Sequence, residues 1–536
     1  MKFQTNRQIT FEKNQTFLEK AEQLKPSLRK TTIKPQRLVR IVPDTENIYA
    51  YSAVTDDRSI DQLSNYLCGK DDRLILDFGD HEVGHFGIDI NSVGSPMDAP
   101  LFLHLKFAEL PVELAEKSTD YAGQLSKSWL QDEYIHFDTL PQHVIFSRRY
   151  ACRYIMLEVI DSSAKWQASF SNPVFYAESA VDLATVKPAH TGDDKLDRID
   201  RIGIKTLQDC MQQVFEDGPK RDRRLWLGDL RLQALANYAT FDNQDLVKRC
   251  LYLFGALPAK DGRITTNVFT FTTPTPDDAF FFDYGLFFIT TLFDYYNHYR
   301  DSSVVFDLYP VAKRELDVSL TTVGPDDLVH LGDKWFNFID WNMTFNRDTA
   351  AQAVLIYALK QFVALTRIVG DTASTANYQA RIQQLSNAAK TRLFDSSSGL
   401  FVSGPKNETN IASQVWMALA HVLPDIENHQ LMTRTLNRFF PVHGVATPYL
   451  YHYIVTALFE TDHSESAIQL MKDYWGKMVD AGADTFWETF DPNDPKASPY
   501  GSFAVNSFCH AWSCTPVYLI RKYVTHTYQD FHNIDE

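Results

Sequence analysis

Three segments of the chain mix carboxylic acids with indoles: Glu216-Asp-Gly-Pro-Lys-Arg-Asp-Arg-Arg-Leu-Trp-Leu-Gly-Asp229, Lys334-Trp-Phe-Asn-Phe-Ile-Asp-Trp-Asn342 and Asp484-Thr-Phe-Trp-Glu-Thr-Phe-Asp491. They carry Trp226, Trp335, Trp341 and Trp487 beside Asp217, Asp222, Asp229, Asp340 and Glu488. Carboxylates interleaved with tryptophan suit a sugar, whose C–H faces stack on aromatic rings and whose hydroxyls need hydrogen-bond acceptors. Glycoside hydrolysis needs one carboxylic acid to protonate the leaving oxygen and a second carboxylate to activate water or attack the anomeric carbon. Crowded carboxylates also raise one another's pKa, which keeps an acid protonated near neutrality. A plainer reading stands beside this one. Arg221, Arg223 and Arg224 next to Asp217, Asp222 and Asp229 equally describe a loop ion-pair network, Trp335 a packed rim residue, and His510 and Trp512 core residues of an apolar helix.

The elements that must position these residues change character near Pro188. From about Val39 to Phe175 the apolar period is two, clearest where Leu101, Leu103, Leu105 and Phe107 share one face. With turn signals between such runs, this half is expected to be an antiparallel β-sandwich. The period then becomes helical, set by Leu207, Cys210, Met211, Val214 and Phe215. Twelve helices are expected to start near residues 194, 228, 243, 278, 303, 346, 374, 410, 428, 447, 464 and 503. The fourth, sixth, eighth, tenth and twelfth are apolar nearly all round; those between are one-sided, as in the stripe Tyr378, Ile382, Leu385, Ala389 and Leu393. Alternating buried and one-sided helices describe an (α/α)6 barrel, a toroid of six helical hairpins. Every loop that leads from an outer into an inner helix then opens at one end, and the three acid and indole segments are all such loops. The expected organisation is α+β multidomain: an arm over 1–36, the β-sandwich over 37–188 and the barrel over 189–536.

Asp217-Gly-Pro-Lys-Arg-Asp-Arg-Arg-Leu-Trp-Leu-Gly-Asp229, Phe338-Ile-Asp-Trp341, Thr485-Phe-Trp-Glu488 and Ser507-Phe-Cys-His-Ala-Trp512 together resemble the inverting α-L-rhamnosidases of glycoside hydrolase family 78, across the whole helical half and in order. The resemblance implies an exo-acting hydrolase that removes terminal α-L-rhamnose from oligosaccharides or plant flavonoid glycosides. It implies Asp222 as general acid and Glu488 as the general base that activates water, the two carboxyls ~6.5–9.5 Å apart. Asp217 and Asp229 would bind hydroxyls, and Arg221, Trp226, Trp335, Asp340, Trp341, Trp487 and His510 would shape the sugar pocket. Two departures stand out: many relatives have Cys-Pro where this chain has Gly218-Pro219, and Arg-Asp-Glu where it has Arg221-Asp222-Arg223. The chain also stops soon after the last barrel helix, so the C-terminal β-domain common in the family is expected to be absent and small glycosides to be preferred. The alternatives are another (α/α)6 glycosidase with a different sugar, or a non-catalytic sugar-binding protein.

Composition narrows the partners. With 52 basic and 68 acidic residues in 536, the net charge is −16, which disfavours nucleic acid or an anionic membrane as partner. The first twenty residues lack a secretory apolar stretch. The six cysteines are scattered without a Cys-x-x-Cys, which reads as reduced thiols in a cytoplasmic protein. No phosphate-cradling glycine loop, His-Glu-x-x-His or zinc-spaced Cys/His group is present, so no cofactor or catalytic metal is expected. A homodimer is left open.

Overall fold

A computed structural model describes residues 9–333 and 335–529; Lys334 of the second acid and indole segment falls outside them, as do the first eight residues of the expected arm. Helix α1 (Gln15–Gln23) starts where the Asn14 side chain accepts the Phe17 N–H. Nine strands follow: β1 (Arg29–Ile33), β2 (Arg37–Pro43), β3 (Tyr51–Thr55), β4 (Arg73–Gly94), β5 (Leu101–Ala108), β6 (Asp132–Phe137), β7 (Gln142–Ile145), β8 (Tyr150–Asp161) and β9 (Trp166–Ser179), with a short helix α2 (Pro111–Ala115) after β5. Their order is β1-β9-β4-β8-β5-β6, with β2 and β7 also on β4 and β3 on β2. All pairs are antiparallel. The long strand β4 changes register between Asp77 and Glu82. That irregularity turns it from a partner of β2 into a partner of β7 and β9, folding the sheet over one core. Leu103 and Leu105 from one side and Ile88, Ile90, Phe170 and Phe175 from the other share that core, so the period-two residues face inward as expected. Strand β1, within the expected arm, pairs with β9 from Arg29 opposite Ser179 to Ile33 opposite Phe175.

The barrel helices are α3 (Asp194–Cys210), α4 (Leu227–Tyr238), α5 (Gln244–Ala256), α6 (Phe282–Tyr299), α7 (Ser302–Leu320), α8 (Asp348–Val369), α9 (Thr372–Arg392), α10 (Ile411–Leu419), α11 (Asp425–Phe439), α12 (Pro448–Glu460), α13 (Ser464–Asp480) and α14 (Pro516–Leu519), the last continued by a π turn to Val524. Inner helices contact one another in the ring α4, α6, α8, α10, α12, α14 and back to α4. Every residue of α4 and of α10 is buried, whereas α9 buries only Tyr378, Leu385, Ala388 and Ala389. Helix α8 is long and apolar enough to cross a membrane by length and composition, but most of it is buried as an inner wall of the barrel. The outer helix α5 is more buried than its neighbours because α1 lies on it, tied by Asn14 N–H to Ala256 C=O at 2.8 Å and Glu12 N–H to Pro258 C=O at 2.8 Å.

Eleven of the twelve helices begin within a few residues of the expected positions; the twelfth does not. It starts at Pro516 rather than near 503, and the apolar stretch before it holds only single 3-10 turns at Phe503–Val505 and Ala511–Ser513. Pro516 has no N–H to give and fits only the first turn. Upstream, the backbone groups of Val505, Asn506, Ser507 and Phe508 are taken by side chains of other segments, so they are not free to build a helix.

The two halves dock through buried charge. Arg153 of β8 donates to Asp77 on β4 at 2.8 and 3.2 Å and to both oxygens of Asp484 at 2.8 and 2.9 Å. Asp484 heads the segment that carries Glu488. Asp77 is fully buried, so removing its partner strands a charge in low dielectric. Arg153→Ala is expected to lower unfolding free energy by about 3 kcal/mol, measured by urea denaturation at pH 7; a change below about 0.5 kcal/mol, the level of an ordinary surface substitution, would mean that Arg37, the other partner of Asp77, holds it alone.

Candidate active site

The loop between α3 and α4 closes on itself. The Asp217 N–H donates to the Arg224 carbonyl at 3.0 Å, the Arg224 N–H donates to Asp217 Oδ1 at 3.0 Å, and the Arg223 N–H reaches the Gly218 carbonyl at 3.3 Å. Within that closure Asp222 and Arg223 sit at φ of 66° and 53°, a left-handed pair that aims consecutive side chains apart at a cost in backbone strain. Gly218 lies against the Ser507 side chain; a Cβ there would stand 2.7 Å from Ser507 Oγ. That contact accounts for glycine at this position. The loop then leads through the short strand β10 (Leu225–Trp226), paired with β11 (Asn267–Phe269), which in turn pairs with β12 (Thr275–Pro276). Gly228, in the first turn of α4, lets the Tyr284 ring of α6 press on the helix.

Arg221 is the hub. Buried, it gives Nη2 to both oxygens of Glu488 at 2.5 Å, Nε to the Val505 carbonyl at 2.8 Å, and Nη1 lies 3.2 Å from Asp222 Oδ1. Its guanidinium lies 4.5 Å from the centre of the Tyr500 ring. Two carboxylates thus share one planar fork. Its terminal nitrogens are ~2.3 Å apart, so the nearest oxygens of Asp222 and Glu488 are no more than about 8 Å from each other.

Glu488 also accepts from Tyr500 Oη at 2.5 Å and from the Ser507 N–H at 3.0 Å, while its own N–H donates to the Ser507 carbonyl at 2.9 Å and its carbonyl accepts Trp512 Nε1 at 2.9 Å. Burial pushes its carboxyl upward, but the Arg221 charge, His510 and the bonds from Arg221 and Tyr500 outweigh that and hold it at about 2. Glu488 is therefore ionised. Asp217 and Asp229 go the other way. Burial first, then the charges of Asp222 and Asp229 on Asp217, and of Glu488 and Asp222 on Asp229, raise both well above the usual carboxylate range. His510 is lowered to about 4, burial outweighing the pull of Glu488, so its ring is neutral near pH 7.

Several polar atoms here are buried and unpartnered: Trp226 Nε1, Asp229 Oδ1, Trp341 Nε1, Ser507 Oγ and His510 Nδ1. His510 Nδ1 and Asp229 Oδ1 are 3.5 Å apart without a hydrogen bond between them. Buried polar groups are nearly always satisfied, so such a set is what a hydroxyl-rich ligand would fill. A chain of rings connects them: Trp226 to Tyr284 at 6.4 Å, Tyr284 to Phe338 at 5.6 Å, Phe338 to Trp341 at 5.2 Å, Trp341 to Tyr500 at 5.7 Å, and Phe338 to Trp512 at 5.8 Å.

The structure brings together Asp217, Arg221, Asp222, Trp226, Asp229, Trp341, Glu488 and His510. Three expected pocket residues do other work. Trp487 is fully buried, edge-on to Tyr49 at 5.4 Å, Phe490 at 5.1 Å and Phe508 at 5.6 Å; neighbours in an extended segment point to opposite sides, so Glu488 faces the site and Trp487 the domain interface. Asp340 spends both oxygens on protein, accepting from Asn342, Ala446 and Thr447 N–H at 2.8, 3.0 and 3.0 Å and from Thr447 Oγ1 at 2.5 Å. It holds the Trp341 loop in place. Trp335 packs edge-on to Phe282 at 5.6 Å under Arg263 at 5.4 Å. His510 lies in the loop before α14 and not inside a helix. Tyr500 was not legible: it stands in a Pro-rich and Asp-rich stretch with nothing in its spacing to single it out. As to metals, His81, Asp209 and Cys509 are grouped closely enough to hold an ion. However, His81 already meets Asp209 at 2.7 Å and Glu109 at 3.1 Å, and Lys205 meets Asp209 at 2.8 Å, so protons satisfy those ligands.

A six-hairpin toroid with two carboxylates on one arginine, Glu488 buried and Asp222 partly exposed, set among unpartnered indole, imidazole and carboxyl groups, defines a glycoside hydrolase. The glycosyl hydrolase family 78 α-rhamnosidase N-terminal domain model matches residues 35–177, and the bacterial α-L-rhamnosidase six-hairpin glycosidase domain model matches residues 187–524. The chain belongs to glycoside hydrolase family 78, the α-L-rhamnosidases. It is similar to a rhamnosidase from Klebsiella oxytoca solved with rhamnose bound, at 41% identity and a TM-score of 0.92, covering 96% of this chain and 100% of that one. More distant likenesses show the fold alone. A family 78 rhamnosidase of Bacillus sp. GL1 is 18% identical with a TM-score of 0.72, over 89% of this chain and 50% of that one. The Streptomyces avermitilis α-L-rhamnosidase complexed with L-rhamnose is 16% identical with a TM-score of 0.66, over 93% and 44%. Comparison with curated protein sequences gives no match.

Proposed function

We propose that the protein removes terminal α-L-rhamnose from oligosaccharides or plant glycosides with inversion, Asp222 protonating the leaving oxygen and Glu488 directing water at the anomeric carbon. The observation that carries this reading is the pairing of both carboxylates on Arg221 beside unpartnered sugar-binding atoms. The upper bound of about 8 Å spans the ~6.5–9.5 Å of an inverting pair and the ~5–5.5 Å of a retaining one, so the product anomer decides between them. Held ionised, Glu488 accepts a proton from water late, after the glycosidic bond has stretched and the water has become acidic, while its charge stabilises the oxocarbenium ion. Neutral His510 and Asp229, whose carboxyl burial and neighbouring charges push toward its protonated form, offer donors and acceptors to hydroxyls, and the indoles of Trp226 and Trp341 suit the methyl face of a 6-deoxy sugar.

The test is a panel of aryl glycosides with the product anomer followed by NMR in the first minutes. Cleavage of the α-L-rhamnoside with β-L-rhamnose appearing first is expected; cleavage of an α-L-fucoside, α-D-glucoside or β-glucuronide with the rhamnoside untouched would overturn the reading.

The pH dependence follows from the directions above. The form of Glu488 needed is the ionised one, and its folded pKa of about 2 lies below the usual 4.5. Its contribution to stability is present above pH 4.5 and lost as pH falls through 2; that of His510, lowered from 6.5 to about 4, is lost as pH falls from 6.5 through 4. Between pH 6 and 4.5, kcat/KM per folded molecule is therefore expected not to decline. A decline of kcat/KM with a midpoint near 5 in protein that stays folded would assign the base to another carboxylate.

A further inference from the structure

The backbone that holds Glu488 is itself gripped from the β-sandwich. Ser507 gives its N–H to Glu488 Oε2 at 3.0 Å and takes the Glu488 N–H on its carbonyl at 2.9 Å. The residues on either side of it are pinned by a buried pair. Lys220 Nζ donates to the Asn506 carbonyl at 3.0 Å, and Glu109 Oε2 accepts the Phe508 N–H at 2.8 Å. The two side chains meet each other at 3.3 Å. Glu109 follows β5 and belongs to the β-sandwich half; Lys220 belongs to the loop of Arg221 and Asp222. Each is only 2% exposed, and each has its remaining capacity filled. Lys220 donates to Glu113 Oε1 at 2.5 Å, Glu113 Oε2 accepts the Glu109 and Leu110 N–H groups at 2.6 and 3.0 Å, and Glu109 Oε1 meets His81 Nε2 at 3.1 Å. His81 passes the restraint to Asp209 on α3 at 2.7 Å.

A buried ion pair is weak evidence for stability, since desolvation offsets most of the attraction. What it supplies here is direction: one partner fixes a carbonyl and the other an N–H, on the two residues flanking the one that orients Glu488. We infer that Glu109 and Lys220 form a clamp through which the β-sandwich sets the position of the Glu488 carboxylate, so that both are positioning residues for hydrolysis although neither touches substrate. The inference rests on Glu488 as the base. Because a displacement of ~1 Å at a reacting group costs on the order of 10²-fold in rate, loosening the clamp shows in kcat and spares sugar affinity, which depends on Asp229, His510 and the indoles.

The experiment uses the full chain with Glu109→Gln, Lys220→Met and the double variant, on an aryl α-L-rhamnoside, with rhamnose affinity by calorimetry and the folded fraction by circular dichroism. Each single variant is expected to lose about 10–100-fold in kcat per folded molecule with KM and rhamnose affinity within about threefold. The double variant is expected to be no worse than about the poorer single one, because both disable one device. The acid limb of kcat/KM is expected to move to higher pH as Glu488 loses the Ser507 N–H; Arg221, Tyr500, His510 and Asp229, the other groups facing that carboxylate, are unchanged, as is Asp222 behind Arg221. Wild-type kcat per folded molecule in both single variants overturns the clamp, as do losses that multiply in the double variant. If Lys220→Met does not fold, the isosteric Glu109→Gln decides by the same kcat, KM and pH readings. Glu488→Gln is run alongside: if it keeps turnover the base assignment fails, whereas an inactive Glu488→Gln beside wild-type clamp variants removes the clamp alone.

Discussion

Glu488→Gln is expected to lower kcat on an α-L-rhamnoside by about 10²–10⁴-fold, the usual contribution of a positioned base. The same change removes the charge that balances Arg221 inside the protein. A buried cation deprived of its partner costs about 3–5 kcal/mol; Asp222, still 3.2 Å from Nη1, offsets part of this, so a loss of about 2–3 kcal/mol is expected. Rates must therefore be referred to folded protein. A second measurement separates a base from a residue that merely keeps the site in shape. Glu488→Ala leaves a small space beside the guanidinium, and added azide is expected to enter it and attack the anomeric carbon. The C–N bond forms as the glycosidic C–O bond breaks, with the leaving oxygen protonated by Asp222, and β-L-rhamnosyl azide is the product. No azide adduct, together with retained hydrolysis in Glu488→Gln, would take Glu488 out of the mechanism.

Asp222→Asn is expected to show a loss of similar size but a different signature. Without proton donation the rate depends on the leaving group, so alkyl and sugar rhamnosides lose about 10²–10⁴-fold while aryl rhamnosides with acidic phenols lose far less. Asparagine tolerates the left-handed backbone at φ 66° better than other residues of its size. The substitution also relieves like-charge crowding with Asp217 and Asp229. Stability is thus expected to stay within about 0.5 kcal/mol, as measured by urea denaturation. Asp229→Asn is the control, since burial and the charges of Glu488 and Asp222 raise the Asp229 carboxyl well above the usual range. If that variant shows the leaving-group dependence and Asp222→Asn does not, the acid is Asp229.

The alternation of all-round apolar and one-sided helices was legible in the sequence because helix burial writes itself as a period of 3.6 and an inner position as the loss of that period. The error at the twelfth helix has a single cause. A buried loop is as apolar as a buried helix, and only the partners of its backbone, Arg221, Lys220, Glu109 and Glu488, tell the two apart. In the site, acids on separate loops could be read as one cluster because the toroid gathers those loops at one end. Which way each side chain points could not be read. Trp487 and Asp340 sit in the right segments yet face the core or clamp a loop. Lys220 and Glu109 act only after the two halves have docked, and no local pattern encodes partners hundreds of residues away; Tyr500 reaches Glu488 across a loop whose turns carry no spacing signal.

The cover that α1 lays over α5 has a consequence for how the chain is made. The helix that shields one flank of the toroid leaves the ribosome ahead of the surface it shields, which follows only after the β-sandwich has been synthesised. At ~5–20 residues per second that is a wait of roughly ten to fifty seconds for a matching face. A sandwich assembled in the meantime keeps the waiting segment tethered at one edge, because β1 is stitched to β9 just behind it. The toroid therefore cannot be lifted out as a free-standing cassette: cut at the junction between the two halves, it would leave behind the strap that dresses its flank.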